Sequence, residues 1–459
     1  MNILHLTLGI PEYRSGGLVS YAYSVAMTQR KLGYHVTMLY PGNIQIGKKK
    51  SYIKTKGEID GVAIYKIVNP SYVAIPLGIK EPQRVMQSGD RKIYSDFLDS
   101  VSPDMVHVHT FMGMHKELFE EIKSRKIPII YTTHDYYAIC PKTARINEKK
   151  EVCPAADPYS CAVCNAGIRN SDLMQYVLQS EWYPRIKKSK ILAGLKKKRK
   201  NTITETEPKT VQVEPGVVEL YKKLLDFQKG LFDMVDIVHC NSTLTEQIYA
   251  PYLHGKQHFV LNITTTGIVD KRAENRTMPY KENGILNIGY IGIRDHHKGS
   301  WILRDAGKIL YDIGLKFKIS LYGDEFNLAE EDHPFCEDCG MFAHDRISEI
   351  MGTLDMLVVP AYWYETFGFS AIEAIVNGVP VLVSSHTGAK DLLDHVTAPH
   401  VFEPNAVELA QLLREYIENP KLLDKNVAEQ KKMDLVVSME RHVVELMYKI
   451  NLFVGEEGL

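Results

Sequence analysis

An α/β protein made of two doubly wound halves is what this chain predicts, and three observations predict it. Short apolar runs alternate with helical patterns along most of the length. The alternation stops at one polar stretch and then starts again. At 459 residues the chain also exceeds what a single hydrophobic core supports.

The first half opens on the apolar run Ile3 to Leu8, followed by a loop rich in special residues from Gly9 to Gly17. Leu18, Ala22, Val25, Ala26, Gln29 and Leu32 then fall on or near one helical face, and Gly33 closes that helix as a C-cap signal. Val36 to Tyr40 is the next strand. A strand, a helix and a strand in this order form a βαβ unit, with a parallel sheet and a right-handed crossover. Further strands are expected at Met105 to Val108, Ile127 to Thr132, Ile237 to Cys240 and Phe259 to Leu261. Thr266 to Asn283 is polar, carries Pro279 and precedes Gly284, so the domain boundary is expected there.

The second half restarts at Asn287 to Ile291 and continues with Phe317 to Leu321, Met356 to Val359 and Val379 to Val383. The expected layout is a domain over 1–270, a second over 284–434, and an amphipathic C-terminal helix over 435–459 that can cross back to the first domain. Two segments interrupt the alternation. Residues 140–164 are rich in cysteine and turns. Residues 168–213 are expected as a helical insertion, with the basic run Lys187 to Lys200 followed by the polar stretch Asn201 to Pro208.

Composition excludes several classes. A formal net charge of -1 gives no global field for nucleic acid, so charge-driven binding must come from local patches. The start, Met-Asn-Ile-Leu-His-Leu, lacks a basic n-region and a cleavage site and is expected to be a strand rather than a signal peptide. No run of about 18 apolar residues suggests a membrane-crossing helix. A cytoplasmic location follows as the expectation, and with it reduced thiols or metal ligands for the seven cysteines.

The most specific segment runs from Pro360 to Ala374. A buried strand ends at Pro360, a loop carries Glu365, and a helix begins near Gly368, where the lack of a side chain lets backbone approach a ligand. The free amides of that helix face the ligand side of an open α/β sheet, a place that attracts phosphate. Glu373 stands inside the apolar stretch Ala371-Ile372-Glu373-Ala374-Ile375-Val376. A carboxylate there needs hydrogen bonds, and ribose hydroxyls would supply them. A solvent-facing position or a structural ion pair is the plainer alternative.

Glu365 and Glu373 together resemble the paired-glutamate motif of family 4 glycosyltransferases of the GT-B fold. Gly378-Val379-Pro380-Val381 and Thr387-Gly388-Ala389-Lys390-Asp391 are similar to that family's continuation, with one glycine where two are usual and Asp391 in the acidic place. The resemblance implies two facing Rossmann-like domains with the donor bound between them. In Gly292-Ile293-Arg294-Asp295-His296-His297-Lys298-Gly299, Lys298 matches the family's lysine, while Arg294 stands one residue late for its arginine. Both are plausible diphosphate clamps at a strand end, against the alternative of a solvated basic loop.

In the first half Ser15-Gly16-Gly17 opens the first helix. The spacing does not match a dinucleotide fingerprint. The family's loop here closes over donor phosphates and acceptor, so Gly16 and Gly17 are candidates, with a plain turn as the alternative. His134 ends a strand where the family places a histidine near the transferred sugar; a packed core histidine is the other reading. His109 is a weaker candidate, and His107 is expected to be structural.

The resemblance implies a retaining transfer from a nucleoside-diphosphate sugar to a glycan or lipid-linked glycan, with no catalytic divalent metal. Its catalytic candidates are His134, Glu365 and Lys298. Gly16, Gly17, Arg294, Lys298, Glu365, Phe367, Gly368, Phe369 and Glu373 are the donor-binding set. A sugar-nucleotide epimerase of the same fold and a non-catalytic binding scaffold are the rival functions.

Cys140, Cys153, Cys161 and Cys164 end in Cys-x-x-Cys and suit a structural zinc site, and a cysteine-bearing variety of the family has a similar segment. Free thiols and disulfides stay open beside it. Cys336 and Cys339 are expected as surface turn residues. Ile191, Leu192 and Leu195 interleave the basic run, which would let it lie on an anionic membrane face or hold a lipid-diphosphate acceptor; a solvated helix face is the alternative.

Overall fold

The computed structural model describes residues 1–45, 47, 50–74, 78–168, 176–177, 179–180, 212–274 and 276–455. The helical insertion expected over 168–213, and with it the basic run Lys187 to Lys200, lies almost wholly outside these residues.

The chain divides into two compact units. Met1–His239, Tyr252–Phe259 and Val443–Leu459 form the first, and Cys240–Pro251 with Val260–His442 form the second. The polar stretch 266–283 therefore falls inside the second unit, which starts earlier than composition suggested. Its hydrogen bonds explain why. Lys271 donates its backbone N–H to the Val376 carbonyl at 2.7 Å. Arg272 reaches the carbonyls of Gln430 at 2.6 Å and Met433 at 2.9 Å. These polar groups are satisfied within the unit rather than by solvent.

The first unit carries an eight-stranded sheet. Its strands are β1 (Asn2–Leu6), β2 (His35–Pro41), β3 (Tyr52–Ile59), β4 (Val62–Val68), β5 (Met105–Val108), β6 (Ile129–Thr132), β7 (Ile237–Cys240) and β8 (Gln257–Val260), in the order β3-β4-β2-β1-β5-β6-β7-β8. From β4 through β7 neighbouring strands pair in parallel, while β3 runs antiparallel to β4. β5, β6 and β7 are buried at every position. That burial is why they stand out as apolar runs rather than as alternating patterns. Helix α1 (Gly17–Lys31) makes the first crossover.

The β3–β4 hairpin has a two-residue turn, Asp60-Gly61, with φ of 50° and 82°. Positive φ at both positions is what a type I′ turn requires, and Asp-Gly is its usual pair. That dipeptide was the signal for a hairpin that the apolar runs did not disclose. β3 shows only half-buried and exposed positions.

The second unit carries β9 (Leu286–Ile291), β10 (Phe317–Tyr322), β11 (Cys336–Gly340), β12 (Met356–Val359), β13 (Val381–Ser384) and β14 (Val401–Phe402), all parallel, in the order β11-β10-β9-β12-β13-β14. The winding reverses between β9 and β12. Its core joins Ile288, Ile302, Leu303, Ile319, Met356, Leu382 and Leu413. The expectation of surface turns at Cys336 and Cys339 is corrected here. Both lie in edge strand β11, and Cys336 is buried. An edge strand pairs on one side only, so the polar sequence Cys-Glu-Asp-Cys-Gly forms a strand without an apolar signature.

The last helix, Met439–Val454, buries Val443, Leu446, Met447 and Ile450 at helical spacing. Among the described residues no helix is long and apolar enough to cross a membrane.

Candidate active site

Two loops of the second unit meet at the point where its sheet reverses winding. The first follows β9 as the short turn His296–Lys298, closed by Gly299 at φ 75°. The second follows β12. A β-carbon at Gly299 would come within 1.7 Å of the Pro360 carbonyl oxygen, so only glycine permits this approach. The His297 carbonyl accepts the backbone N–H groups of Tyr362 at 3.0 Å and Trp363 at 3.2 Å. The two loops are thereby fastened backbone to backbone.

This fastening brings Lys298 and Glu365 together, and the Lys298 ammonium donates to the Glu365 carboxylate. Trp363 Nε1 donates to the same Glu365 oxygen at 2.9 Å. Lys298 Nζ stands 5.1 Å from the centroid of the Trp363 ring, within cation–π reach. Glu365 is fixed in turn by its backbone. Its N–H donates to the His386 carbonyl and its own carbonyl accepts from Gly388, both at 2.9 Å. A β-carbon at Gly388 would meet the Thr366 carbonyl oxygen at 2.2 Å. Trp363 was not singled out from the sequence; an aromatic two residues before an expected site glutamate was the available signal.

Helix Phe369–Val376 starts just beyond, with Gly368 as a left-handed N-cap at φ 99° and no side-chain cap on its first turn. Phe367 is buried and packs on the Phe369 ring at 5.4 Å. Glu373 lies on this helix with its side chain 16% exposed. Burial pushes its carboxyl up to about 7. Its ion-pair partner, His344, stands 3.6 Å away, is itself 72% exposed, and does not offset that burial.

Two other residues sit differently from the motif reading. Arg294 donates from its guanidinium to the Phe326 carbonyl at 3.2 Å and lines a cavity with Trp301, Arg304 and Phe326. Among the described residues no hydrogen bond or ion pair joins it to the Lys298–Glu365 pair. Asp391 accepts from the backbone N–H and the hydroxyl of Thr243, each at 2.6 Å, and from Asn262 at 3.3 Å. The acidic position of the motif is thus a clamp within the unit.

In the first unit Gly16, at φ 133°, is the N-cap of α1 without a side-chain cap, and Gly16 and Gly17 are exposed. His134 follows β6 and is half-buried. Its ring lies 4.9 Å from the Tyr21 ring, and its Nε2 is 3.2 Å from His109 Nδ1. Burial pushes His134 and His109 well below the ordinary imidazole range. His109, expected as a weaker candidate, is fully buried. His107 is hydrogen-bonded to Thr132 at 2.7 Å, in keeping with a structural part.

Cys140, Cys153, Cys161 and Cys164 all line one cavity, with Ile139, Lys142 and Arg145. All seven cysteines are free thiols. Cys153 donates to the Ala155 carbonyl at 3.1 Å and Cys164 to the Ile146 carbonyl at 3.7 Å. Burial raises the thiols of Cys161 and Cys164, the latter to about 11. Four soft donors around one cavity suit zinc in kind, but the sulfurs are not drawn within ligand distance of one another as the nitrogens of His5, His107 and His109 are, all within 4.8 Å. Binding would require the sulfurs to deprotonate and leave those carbonyls.

The fold defines the class. Two Rossmann-like parallel-sheet units are the GT-B architecture, and solved structures of that kind align over the whole chain. They include α,α-trehalose-phosphate synthase (UDP-forming) from Burkholderia xenovorans, with a TM-score of 0.57, 12% identity and coverage of 99% of this chain and 100% of that one. Sucrose-phosphate synthase from Thermosynechococcus elongatus gives a TM-score of 0.56 at 12% identity, covering 99% and 100%. The Anabaena protein HepE in complex with UDP-glucose gives 0.52 at 14%, covering 98% and 99%.

The model for Glycosyltransferase Family 4 matches residues 15–161, and that for Glycosyl transferases group 1 matches residues 339–433. These matches indicate a glycosyltransferase of the GT-B type. Among curated proteins, 2-deoxystreptamine glucosyltransferase of Streptomyces kanamyceticus is 30% identical over 142 residues, 29% of this chain and 36% of that one. An uncharacterized 42.6 kDa protein of the cps region of Klebsiella pneumoniae is 22% identical over 303 residues, 66% of this chain and 62% of that one. The matched stretches thus span less than two thirds of either relative.

Proposed function

We propose that this protein transfers a sugar from a nucleoside-diphosphate sugar to a glycan or lipid-linked glycan acceptor, with retention of anomeric configuration. The observation that carries the reading is the Lys298–Glu365–Trp363 cluster at the ends of β9 and β12, the switch point where ligands enter open α/β sheets. The donor's C1–oxygen bond breaks, the acceptor oxygen bonds to C1, and the acceptor proton goes to the departing diphosphate. Lys298 and the first-turn amides at Gly368 and Phe369 stabilise the charge on that diphosphate, so the reading needs no catalytic divalent metal. Glu373 holds the ribose hydroxyls. Glu365, fixed by Trp363, holds the sugar ring, and His134 bonds a sugar hydroxyl. Gly16 and Gly17 leave the start of α1 open for phosphate or acceptor. Arg294 has a supporting part in the loop after β9.

The similar HepE structures in complex with UDP and UDP-glucose support a uridine-linked donor as the first to try. The cytoplasmic side of a membrane is the proposed place of work. There Lys187 to Lys200 would meet anionic lipid and a lipid-carried acceptor. The four-thiol cavity is read as a zinc staple for residues 140–164. The deciding experiment is a panel of nucleotide sugars scored by thermal shift and by nucleoside-diphosphate release with and without acceptor. Release that rises with acceptor supports transfer. Conversion of the sugar without any acceptor would favour an epimerase, and binding without turnover a scaffold.

A further inference from the structure

The loop after β9 carries two adjacent histidines, and they are used differently. The His296 ring stacks on Trp301, with centroids 5.1 Å apart and planes 8° from parallel. The His297 ring instead meets Asp295, whose Oδ1 lies 2.7 Å from His297 Nδ1. It also lies edge-on to Trp363, with centroids 4.9 Å apart and an angle of 69°. Trp363 is the residue that donates to Glu365 and that the Lys298 ammonium approaches. His297 therefore borders the Lys298–Glu365–Trp363 cluster, although no motif gives it a part.

The partner decides what the ring can offer. Desolvation opposes the charge on Asp295, yet the hydrogen bond from His297 holds its carboxyl below the usual carboxylate range. An ionised carboxylate only accepts, so His297 Nδ1 donates, in the neutral ring and in the protonated one alike. Nε2 is then the variable atom, a bare acceptor in one form and an N–H donor in the other. Among the described residues nothing hydrogen-bonds or ion-pairs with it, and the side chain is 25% exposed. The backbone holds the residue in place, because the His297 carbonyl accepts from Tyr362 and Trp363. An imidazole held on Nδ1 by a carboxylate and open at Nε2, next to a lysine, suits an oxyanion. The negative charges of Asp295 and of the oxyanion both favour the protonated ring. Lys298 opposes it, but its ammonium is paired with Glu365.

We propose that His297 is a further donor-binding residue and Asp295 its positioning residue, with His297 Nε2–H donating to an oxygen of the donor's diphosphate beside Lys298. The identity of that ligand rests on the proposed function. The orientation of the ring by Asp295 does not, and it can be measured without any substrate.

The test is long-range proton–nitrogen NMR on the full chain labelled with ¹⁵N-histidine, with the His297 ring assigned through His297→Gln. Without ligand, Nδ1 should carry a proton, and Asp295→Leu should remove that preference. Inorganic pyrophosphate and UDP are then titrated, with binding followed separately by calorimetry. Nε2 should move saturably toward its N–H form as either ligand binds, a response that a residue merely propping the loop would not give. His297→Leu should weaken UDP binding by about tenfold or more, the usual loss for a hydrogen bond to a charged group. His297→Gln, which can still donate, should recover part of that loss. If His297→Leu does not fold, the wild-type titration carries the test. A bare Nδ1 in the wild type, or UDP binding with Nε2 unmoved, would overturn the inference alone. No binding of UDP, ADP or GDP would overturn the proposed function, and the ligand assigned to His297 with it.

Discussion

The two units place polar groups at their strand ends in opposite ways. The first buries imidazoles, keeps them neutral and joins them ring to ring. The second sets an ammonium against a carboxylate, with an indole N–H on the same oxygen. A neutral chain can aim a hydrogen bond but cannot balance the charge of a leaving diphosphate. A charged pair can do that, at the cost of partial desolvation. Under the proposed function the units divide the labour in this way, and each prediction below either breaks that division or sharpens it.

The largest effect is expected at the charged end. Lys298→Ala should lower kcat at saturating donor by about 10²–10³-fold, the usual loss for one stabilising donor of transition-state charge, while the melting temperature shifts little. Wild-type turnover would remove Lys298 from the site.

Acid should separate the units next. His5, with its pKa lowered in the fold, gives stability that is present above its unfolded value of 6.5 and is lost as pH falls toward about 4. That loss is worth about 3 kcal/mol for this group alone. Glu373 has the opposite sign. Its carboxyl is raised from 4.5 to about 7, so its contribution is present below 4.5 and is lost as pH climbs through 7. Hydrogen exchange followed from pH 8 to about 5 should show the strands of the first unit losing protection, while helix Phe369–Val376 does not. Parallel loss in both units would break the comparison.

Glu373→Gln should weaken donor binding by about 1.5–3 kcal/mol, as expected for hydrogen bonds to a charged acceptor. It should also abolish the weakening of donor affinity expected of the wild type as pH drops below 7. Calorimetry across that range checks both. A smaller effect is expected at Arg294, whose guanidinium is already held by the Phe326 carbonyl. Arg294→Ala should cost less than about tenfold in kcat/KM, a few tenths to about 1.4 kcal/mol.

The smallest effect on turnover is expected at the thiols. Metal analysis should give about one zinc per chain, and a chelator should loosen residues 140–164 while kcat changes less than about twofold. Metal-free protein of full stability would leave plain thiols.

The buried parallel strands were legible in the sequence because burial on both faces writes uninterrupted apolar runs, as in β5, β6, β12 and β13. Edge strands were not. β3 is mostly polar, β11 is Cys-Glu-Asp-Cys-Gly, and β14 has two residues. Pairing on one side makes no demand on composition. Glu365, Glu373 and Lys298 were visible as charges at strand ends or in an apolar helix. The partnership of Trp363 with Glu365 was not, because it depends on how the loop after β12 folds back. His109 and His134 were visible as histidines at strand ends, but their linkage through His5 to Gln29 was not, because it joins residues far apart in the sequence.

The contact at Gly299 has a practical consequence for anyone recombining the loops of this protein. With the Pro360 oxygen 1.7 Å from where a β-carbon would stand, position 299 works as a spacer of zero thickness between the two loops. A library that diversifies 293–298 and 361–367 to seek new donors should hold 299 constant. Otherwise most of its members would vary the gap between the loops rather than the chemistry on them.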